Sequence, residues 1–209
     1  SHPVSGEKMG IGHGRRKVNM SAIAEKPHLS ETDYLAWESR AKEKHEYIAG
    51  EIFAMAGASE RHNRISLNIA FHLRLATRGH SCRAFMADMK LRIASHRIYY
   101  YPDAMLVCDD RDDHPLYKTT PCFIAEVLSP STATTDQREK WLHYQDIPSL
   151  RYYLLVETDR PSARLLTRTG EERWTEQTLD REDIVTLTCG DAQITLSLDD
   201  LYEDTGLLA

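Results

Sequence analysis

The spacing of hydrophobic positions along the chain predicts both helices and strands. The clearest helix covers residues 59–79, in which Ile65, Ile69 and Leu73 recur at helical spacing and Gly79 supplies a stop. Short apolar runs between turn residues predict strands. Further helices are predicted at residues 31–41 (after an N-cap at Ser30), 131–146 and 198–204, and strands at residues 45–57 (a hairpin turning at 49–50), 82–87, 89–93, 98–101, 103–108, 122–128, 151–157, and 163–169 with 171–178 (a second hairpin).

This order of elements predicts an α/β (α+β) fold, in which helices flank a mixed central β-sheet and the second hairpin is an extra C-terminal feature. A length of 209 residues suits one domain with a sizeable core. Residues 1–19 hold four basic residues, one acidic residue and no hydrophobic periodicity, which is typical of a tag remnant or a flexible leader. We therefore expect a single domain over residues 20–209.

The cysteines and the apolar runs indicate the cellular location of the protein. No apolar run reaches the length of a membrane-spanning helix, and the N-terminus lacks a signal-peptide pattern. The four cysteines lack CxxC spacing, and three of them lie in predicted strands. The sequence therefore predicts reduced cysteines in the core of a cytoplasmic protein that does not contact membranes.

The charge balance argues against a broad basic surface for nonspecific DNA binding. The chain has 26 Lys and Arg residues against 32 Asp and Glu residues, a net charge of −6. Without residues 1–19 the balance is 22 basic against 31 acidic residues. This balance therefore counts against a nucleic-acid-binding function.

Two carboxylates stand at positions where an apolar strand does not normally carry them. Asp103 precedes the run AMLVC, and Glu126 lies inside the run CFIAEVLS. Because burial of an ionised carboxylate is costly without a partner, a shared cation is a plausible reason for both. With the backbone carbonyl of Val127 they would form an oxygen site suited to Mg²⁺ or Mn²⁺.

The helix predicted at residues 131–146 follows the second of these strands. Asp136, Lys140, His143 and Tyr144 share one face of that helix, and we interpret His143 and Tyr144 as packing residues. Lys140 could point back toward the two carboxylates. An ammonium group there would orient a water molecule or stabilise charge on a phosphate.

Four motifs together resemble the PD-(D/E)XK nuclease superfamily: HEYIAGEIFAMAG at residues 45–57, YPD at 101–103, EVLSPST at 126–132 and DQREKWLHY at 136–144. Within it they are most similar to the Uma-type family of bacterial proteins predicted to be restriction endonucleases. The resemblance implies a restriction-endonuclease-like fold and metal-dependent hydrolysis of phosphodiester bonds in nucleic acid, with DNA as the expected substrate. It also implies that Asp103 and Glu126 bind the metal.

One position departs from the superfamily pattern. A lysine is usual two residues after the second acid, but that position is Leu128. The resemblance then implies that Lys140, from the following helix, supplies the positive charge. Glu46 matches an early acid of the family, which would bind metal directly or through water.

Each candidate residue also has a structural interpretation. His62, near the start of the helix predicted at residues 59–79, could also approach the site. The alternatives are a turn cap at Asp103, an arginine ion pair at Glu126, an i,i+4 pair between Lys140 and Asp136, an exposed hairpin position at Glu46, and a polar helix-surface position at His62. For the whole protein, the alternative to a nuclease is a catalytically degenerate nuclease fold that serves as a binding or assembly module, for example as a homodimer.

Overall fold

The computed structural model describes residues 28–130 and 134–208. The predicted leader at residues 1–19 lies outside the described residues, as do the first three residues of the helix predicted from residue 131. The described part of the chain contains four α-helices, α1 (Glu31–Glu38), α2 (Glu60–Thr77), α3 (Thr134–Tyr144) and α4 (Leu198–Tyr202). No helix in this part of the chain is long and apolar enough to cross a membrane.

Side-chain caps define where the helices begin. The hydroxyl of Ser30 accepts a hydrogen bond from the backbone N–H of Asp33 at 3.1 Å, which confirms the predicted cap of α1. Ser59 caps α2 in the same way. Ser197 forms a capping box with Asp200 at the start of α4.

The strands fall into three sheets in the described part of the chain. In chain order they are β1 (His45–Ile48), β2 (Glu51–Ala54), β3 (Arg83–Met86), β4 (Lys90–Ile93), β5 (Ile98–Tyr100), β6 (Ala104–Val107), β7 (Tyr117–Lys118), β8 (Pro121–Leu128), β9 (Tyr152–Glu157), β10 (Ala163–Arg168), β11 (Trp174–Leu179), β12 (Ile184–Cys189) and β13 (Ala192–Ser197). The central sheet has the order β11-β10-β9-β8-β6-β3. Its only parallel pair among the described strands is β8 with β9, so the sheet is mixed, as predicted.

Strand β8 lies in the middle of the central sheet and is buried along its whole length. Ala125 and Val127 pack in one core cluster with residues of α2, whereas Ile124 and Leu128 pack in another with Tyr144 of α3. Because side chains alternate along a strand, Glu126 points to the side on which α3 packs. This burial on both faces explains why the sequence of β8 is almost uniformly apolar.

The two predicted hairpins both form. Strands β1 and β2 join through Ala49 and Gly50, whose φ angles of 47° and 101° suit a tight hairpin turn. They belong to a second sheet of order β2-β1-β5-β4-β7. The C-terminal hairpin of β10 and β11 extends the edge of the central sheet.

A further hairpin, β12 with β13, forms a separate two-stranded sheet that the sequence analysis did not predict. The sequence did carry a signal, because Val185, Leu187 and Cys189 alternate with threonines along β12. Its buried residues join the core cluster that contains the apolar face of α2.

The expectation of reduced cysteines is wrong. The four cysteines form two disulfide bonds, Cys82–Cys108 and Cys122–Cys189. The second bond links β8 of the central sheet to β12 of the separate hairpin. The sequence could not reveal these pairs, since their members are 26 and 67 positions apart and meet only in the fold. The cysteines therefore no longer support a cytoplasmic location.

Candidate functional site

One large cleft collects the candidate residues. It has a volume of about 1260 Å³ and opens between the central sheet, α2 and α3. The predicted site residues that line it are Glu46, Asp103, Glu126, Val127 and Lys140. They come from β1, from the residue before β6, from β8 and from α3. The fold therefore brings together residues that are up to 94 positions apart in the chain.

Asp103 is hydrogen-bonded to the neighbouring strand β8. Ala104 of β6 pairs with Ala125 of β8, which brings Asp103 beside Glu126 and Val127. Oδ2 of Asp103 accepts a hydrogen bond from the backbone N–H of Val127 at 2.7 Å. This is a contact across the sheet, unlike the local turn cap that the structural interpretation proposed.

Glu126 is buried and has a tyrosine as its hydrogen-bond donor. The hydroxyl of Tyr144 donates to Oε1 of Glu126 at 2.5 Å, in the place of the arginine that the structural interpretation requires. Burial raises the pKa of Glu126 to about 8, against a lowering by the charge of Lys140 and with a further rise from Asp103. The positive charge of Lys140 therefore does not fully compensate the cost of burying an ionised Glu126.

Lys140 contacts both a buried and an exposed carboxylate. Its Nζ lies 2.8 Å from Oε1 of Glu46 and 3.8 Å from Oδ2 of Asp136. The i,i+4 pair with Asp136 exists, but the Lys140 side chain is only 13% exposed and so does not lie on a solvated helix surface. The Nζ of Lys140 also makes a cation–π contact with Tyr100, at 5.2 Å from the centroid of the ring.

In the buried ion pair of Lys140 and Glu46, the pKa of each residue is raised above its ordinary value. Burial lowers the pKa of Lys140, but the carboxylates of Glu126 and Glu46 outweigh it and raise the pKa above its ordinary value. For Glu46, burial raises the pKa, and the attraction of Lys140 only partly opposes it. Lys140 therefore stays charged, and several carboxylates compete for its single positive charge. The predicted alternative of an exposed Glu46 is wrong, because its side chain is 11% exposed.

His62 enters the site from the first turn of α2. Its Nε2 lies 3.3 Å from Oδ1 of Asp103. The hydrogen bond to Asp103 raises the pKa of His62, burial lowers it, and a hydrogen bond to the backbone of Val127 raises it further. The interpretation of His62 as an exposed helix residue is wrong. The sequence pattern of α2 could not reveal the contact with Asp103, since Asp103 is 41 positions away in the chain.

Tyr144 and Leu128 complete the surroundings of Glu126. The helical spacing predicts Tyr144 on the same face of α3 as Lys140. It could not predict the hydrogen bond of Tyr144 to Glu126, because that contact depends on how α3 packs against β8. Leu128 is buried in the core cluster on the α3 side. The positive charge that acts on Glu126 comes instead from Lys140 of α3.

The donors in the cleft fit a hard divalent cation. The carboxylates of Asp103 and Glu126 and the carbonyl of Val127 are oxygen ligands, the type that Mg²⁺ and Mn²⁺ prefer. Within residues 28–130 and 134–208, no three His, Cys, Asp or Glu side chains are placed to hold a metal ion together. A cation here would therefore need the Val127 carbonyl and water besides the side chains. Its positive charge would also oppose the burial and the repulsion by Asp103 that raise the pKa of Glu126.

The chain is similar in sequence to two proteins of Synechocystis. A protein of Synechocystis named "Uncharacterized protein sll1609" is 36% identical over 158 residues, which cover 74% of this chain and 89% of the relative. A second Synechocystis protein, "Uncharacterized protein slr1290", is 37% identical over 149 residues, which cover 71% of this chain and 78% of the relative.

A solved structure shows the same fold at low sequence identity. The crystal structure of a "putative nuclease belonging to DUF820" from Anabaena variabilis superposes with a TM-score of 0.66 at 15% identity. The match covers 83% of this chain and 97% of that one. It supports the predicted fold class, a mixed α+β nuclease-like fold.

The family itself is shown by sequence. The family model described as "Uma2: Putative restriction endonuclease" matches residues 32–198, which include every candidate residue of the cleft. The resemblance inferred from the four motifs is thereby confirmed, and the chain belongs to the Uma2 family of restriction-endonuclease-like proteins.

Proposed function

We propose that the protein is a metal-dependent nuclease that hydrolyses phosphodiester bonds, with DNA as the expected substrate. The observation that carries the proposal is the convergence of Glu46, Asp103, Glu126 and Lys140 on one cleft from four separate segments of the chain. Two buried or half-buried acids beside a lysine are costly for stability alone. Their grouping is therefore better explained by chemistry than by packing.

Each residue has a distinct part in the proposed reaction. Asp103, Glu126 and the carbonyl of Val127 would hold Mg²⁺ or Mn²⁺. Such an ion, when bound, polarises the scissile phosphate and lowers the pKa of a water molecule. The ammonium of Lys140 would stabilise the charge that develops on the phosphate. Glu46 holds Lys140 in place at 2.8 Å, and Tyr144 orients Glu126.

The decisive experiment is a cleavage assay with supercoiled plasmid, single-stranded DNA and RNA in Mg²⁺ or Mn²⁺. We expect Asp103→Asn and Glu126→Gln to abolish cleavage, because each removes a charged metal ligand. Asp88→Asn is the matched control, since Asp88 lines the rim of the same cleft with a side chain that is 94% exposed. Equal activity of wild type and Glu126→Gln would refute the proposed mechanism, as would cleavage by neither wild type nor control with any substrate.

A second candidate function is a nuclease fold that has lost catalysis and serves in binding or assembly. Two observations favour it: Leu128 replaces the usual lysine, and the described lining of the cleft has six carboxylates against two lysines and one histidine. The exposed apolar row of Leu67, Phe71 and Leu75 on α2 would suit assembly, with a homodimer as the simplest case. Calorimetry separates the two functions, because a pure scaffold should bind no Mn²⁺.

A further inference from the structure

His62 has a place in the cleft that the family resemblance did not assign. It lies in the first turn of α2, and its side chain is 19% exposed. Its Nε2 lies 3.3 Å from Oδ1 of Asp103, and the imidazole also hydrogen-bonds the backbone of Val127. These two partners are the same groups that would hold the cation in the proposed nuclease site.

The spacing of His62 Nε2 and Asp103 Oδ1 is compatible with two neighbouring ligands of one ion. Neighbouring ligands of an octahedral ion with bonds of about 2.1 Å lie about 3.0 Å apart. The observed 3.3 Å between Nε2 of His62 and Oδ1 of Asp103 is close to that separation. An ion that replaced the Nε2 proton could therefore be shared by the imidazole, the carboxylate and the Val127 carbonyl with little movement of the backbone.

The helix that carries His62 is firmly placed. Ile65, Ile69 and Leu73 of α2 are fully buried in the main core cluster, and the Ser59 cap fixes the first turn through the backbone N–H of His62 itself. A ligand on a well-packed element loses little conformational freedom when it binds an ion. The position of the imidazole is therefore a property of the fold.

We propose that His62 is a direct metal ligand, which binds through Nε2 beside Asp103 and the carbonyl of Val127. The inference rests on the proposed metal-dependent function and makes the site a mixed nitrogen and oxygen site. Mg²⁺ is held almost entirely by oxygen ligands, whereas transition metals accept imidazole readily. The site should therefore select Mn²⁺ over Mg²⁺ because of His62.

Calorimetric titration of the full chain with Mn²⁺ and with Mg²⁺ tests this selectivity. In His62→Ala, Mn²⁺ affinity should fall by at least about tenfold, the scale of losing a group that supports a metal site. Mg²⁺ affinity should change much less, so the preference for Mn²⁺ should shrink. His72→Ala is the matched control, because His72 lies on the same helix, is also 19% exposed and also contacts an aspartate, Asp200, at 3.7 Å. This control should bind both ions as wild type does.

Three calorimetric results would overturn the inference. Unchanged Mn²⁺ affinity in His62→Ala would remove His62 from the metal site while leaving the proposed nuclease intact. An equal loss for Mn²⁺ and Mg²⁺ would show that His62 only positions Asp103. Absence of binding by the wild-type protein would refute the proposed function itself, and the inference with it.

A measurement on the wild-type protein avoids any dependence on how the variant folds. With Mn²⁺ bound, pulsed electron paramagnetic resonance should detect hyperfine coupling to an imidazole nitrogen. The same coupling should persist in His72→Ala. A spectrum of the Mn²⁺-bound wild type with no nitrogen coupling would exclude His62 as a ligand.

Discussion

Replacing Lys140 by methionine should destabilise the protein strongly, because it removes the cation from a group of buried carboxylates. The pair of Lys140 and Glu46 is close, at 2.8 Å, and its side chains are only 13% and 11% exposed. Breaking a buried ion pair from one side costs about 3–5 kcal/mol, since the remaining charge stays in a poorly solvated place. The longer contact with Asp136, whose side chain is 47% exposed, is worth only about 0.2–0.5 kcal/mol.

Urea unfolding followed by circular dichroism at pH 8 and pH 5 measures this difference. We expect Lys140→Met to lower the free energy of unfolding by about 3–5 kcal/mol at pH 8. The loss should be smaller at pH 5, because Glu46 and Glu126, whose pKa values burial raises, can then take up protons in the native state. The control Asp136→Asn should cost a few tenths of a kcal/mol.

The same variant tests catalysis. Loss of a positive charge at a developing oxyanion typically costs about 10²–10³-fold in rate, so Lys140→Met should lose activity far beyond its loss of folded protein. A loss of stability that equals that of Asp136→Asn, together with full activity, would refute both the buried pair and the catalytic role. The lysine would then be a surface partner of Asp136 only.

Three further predictions follow from the same structure. The pKa of Glu126 lies at about 8 in the folded protein against an ordinary 4.5, so the native state binds this proton more tightly than the unfolded state does. The unfolding free energy of the metal-free protein should therefore fall as the pH rises from about 4.5 to 8. Glu126→Gln should flatten this pH dependence in a series of denaturant titrations, and an unchanged slope in the variant would contradict the prediction. Reduction of the two disulfide bonds, which close loops of 26 and 67 residues, should cost about 3–4 kcal/mol each, and a thiol titration of the unreduced, unfolded chain should find no free cysteine. Saturating Mn²⁺ should raise the melting temperature of wild type but not that of Asp103→Asn, and an equal rise in both would exclude Asp103 as a ligand.

Most of the local elements and two of the site's residues could be predicted from the amino-acid sequence alone. Ser30 caps helix α1 and the first hairpin turns at Ala49 and Gly50, as the sequence predicts, because these features depend on neighbours within a few positions. The acids at 103 and 126 could be singled out because each is an ionisable residue at an apolar strand, which the sequence shows directly.

Contacts between residues that are distant in the chain depend on how the elements pack. The ion pairs of Glu46 with Lys140 and of His62 with Asp103 could not be predicted from the sequence, and neither could the two disulfide pairs. These contacts join residues that are 26 to 94 positions apart and meet only when the sheets and helices pack. Residue type and spacing are the same whether such a side chain is solvated or buried. Its burial and its partner depend on the packing of α2 and α3 against the central sheet, and that packing places both helices at the cleft.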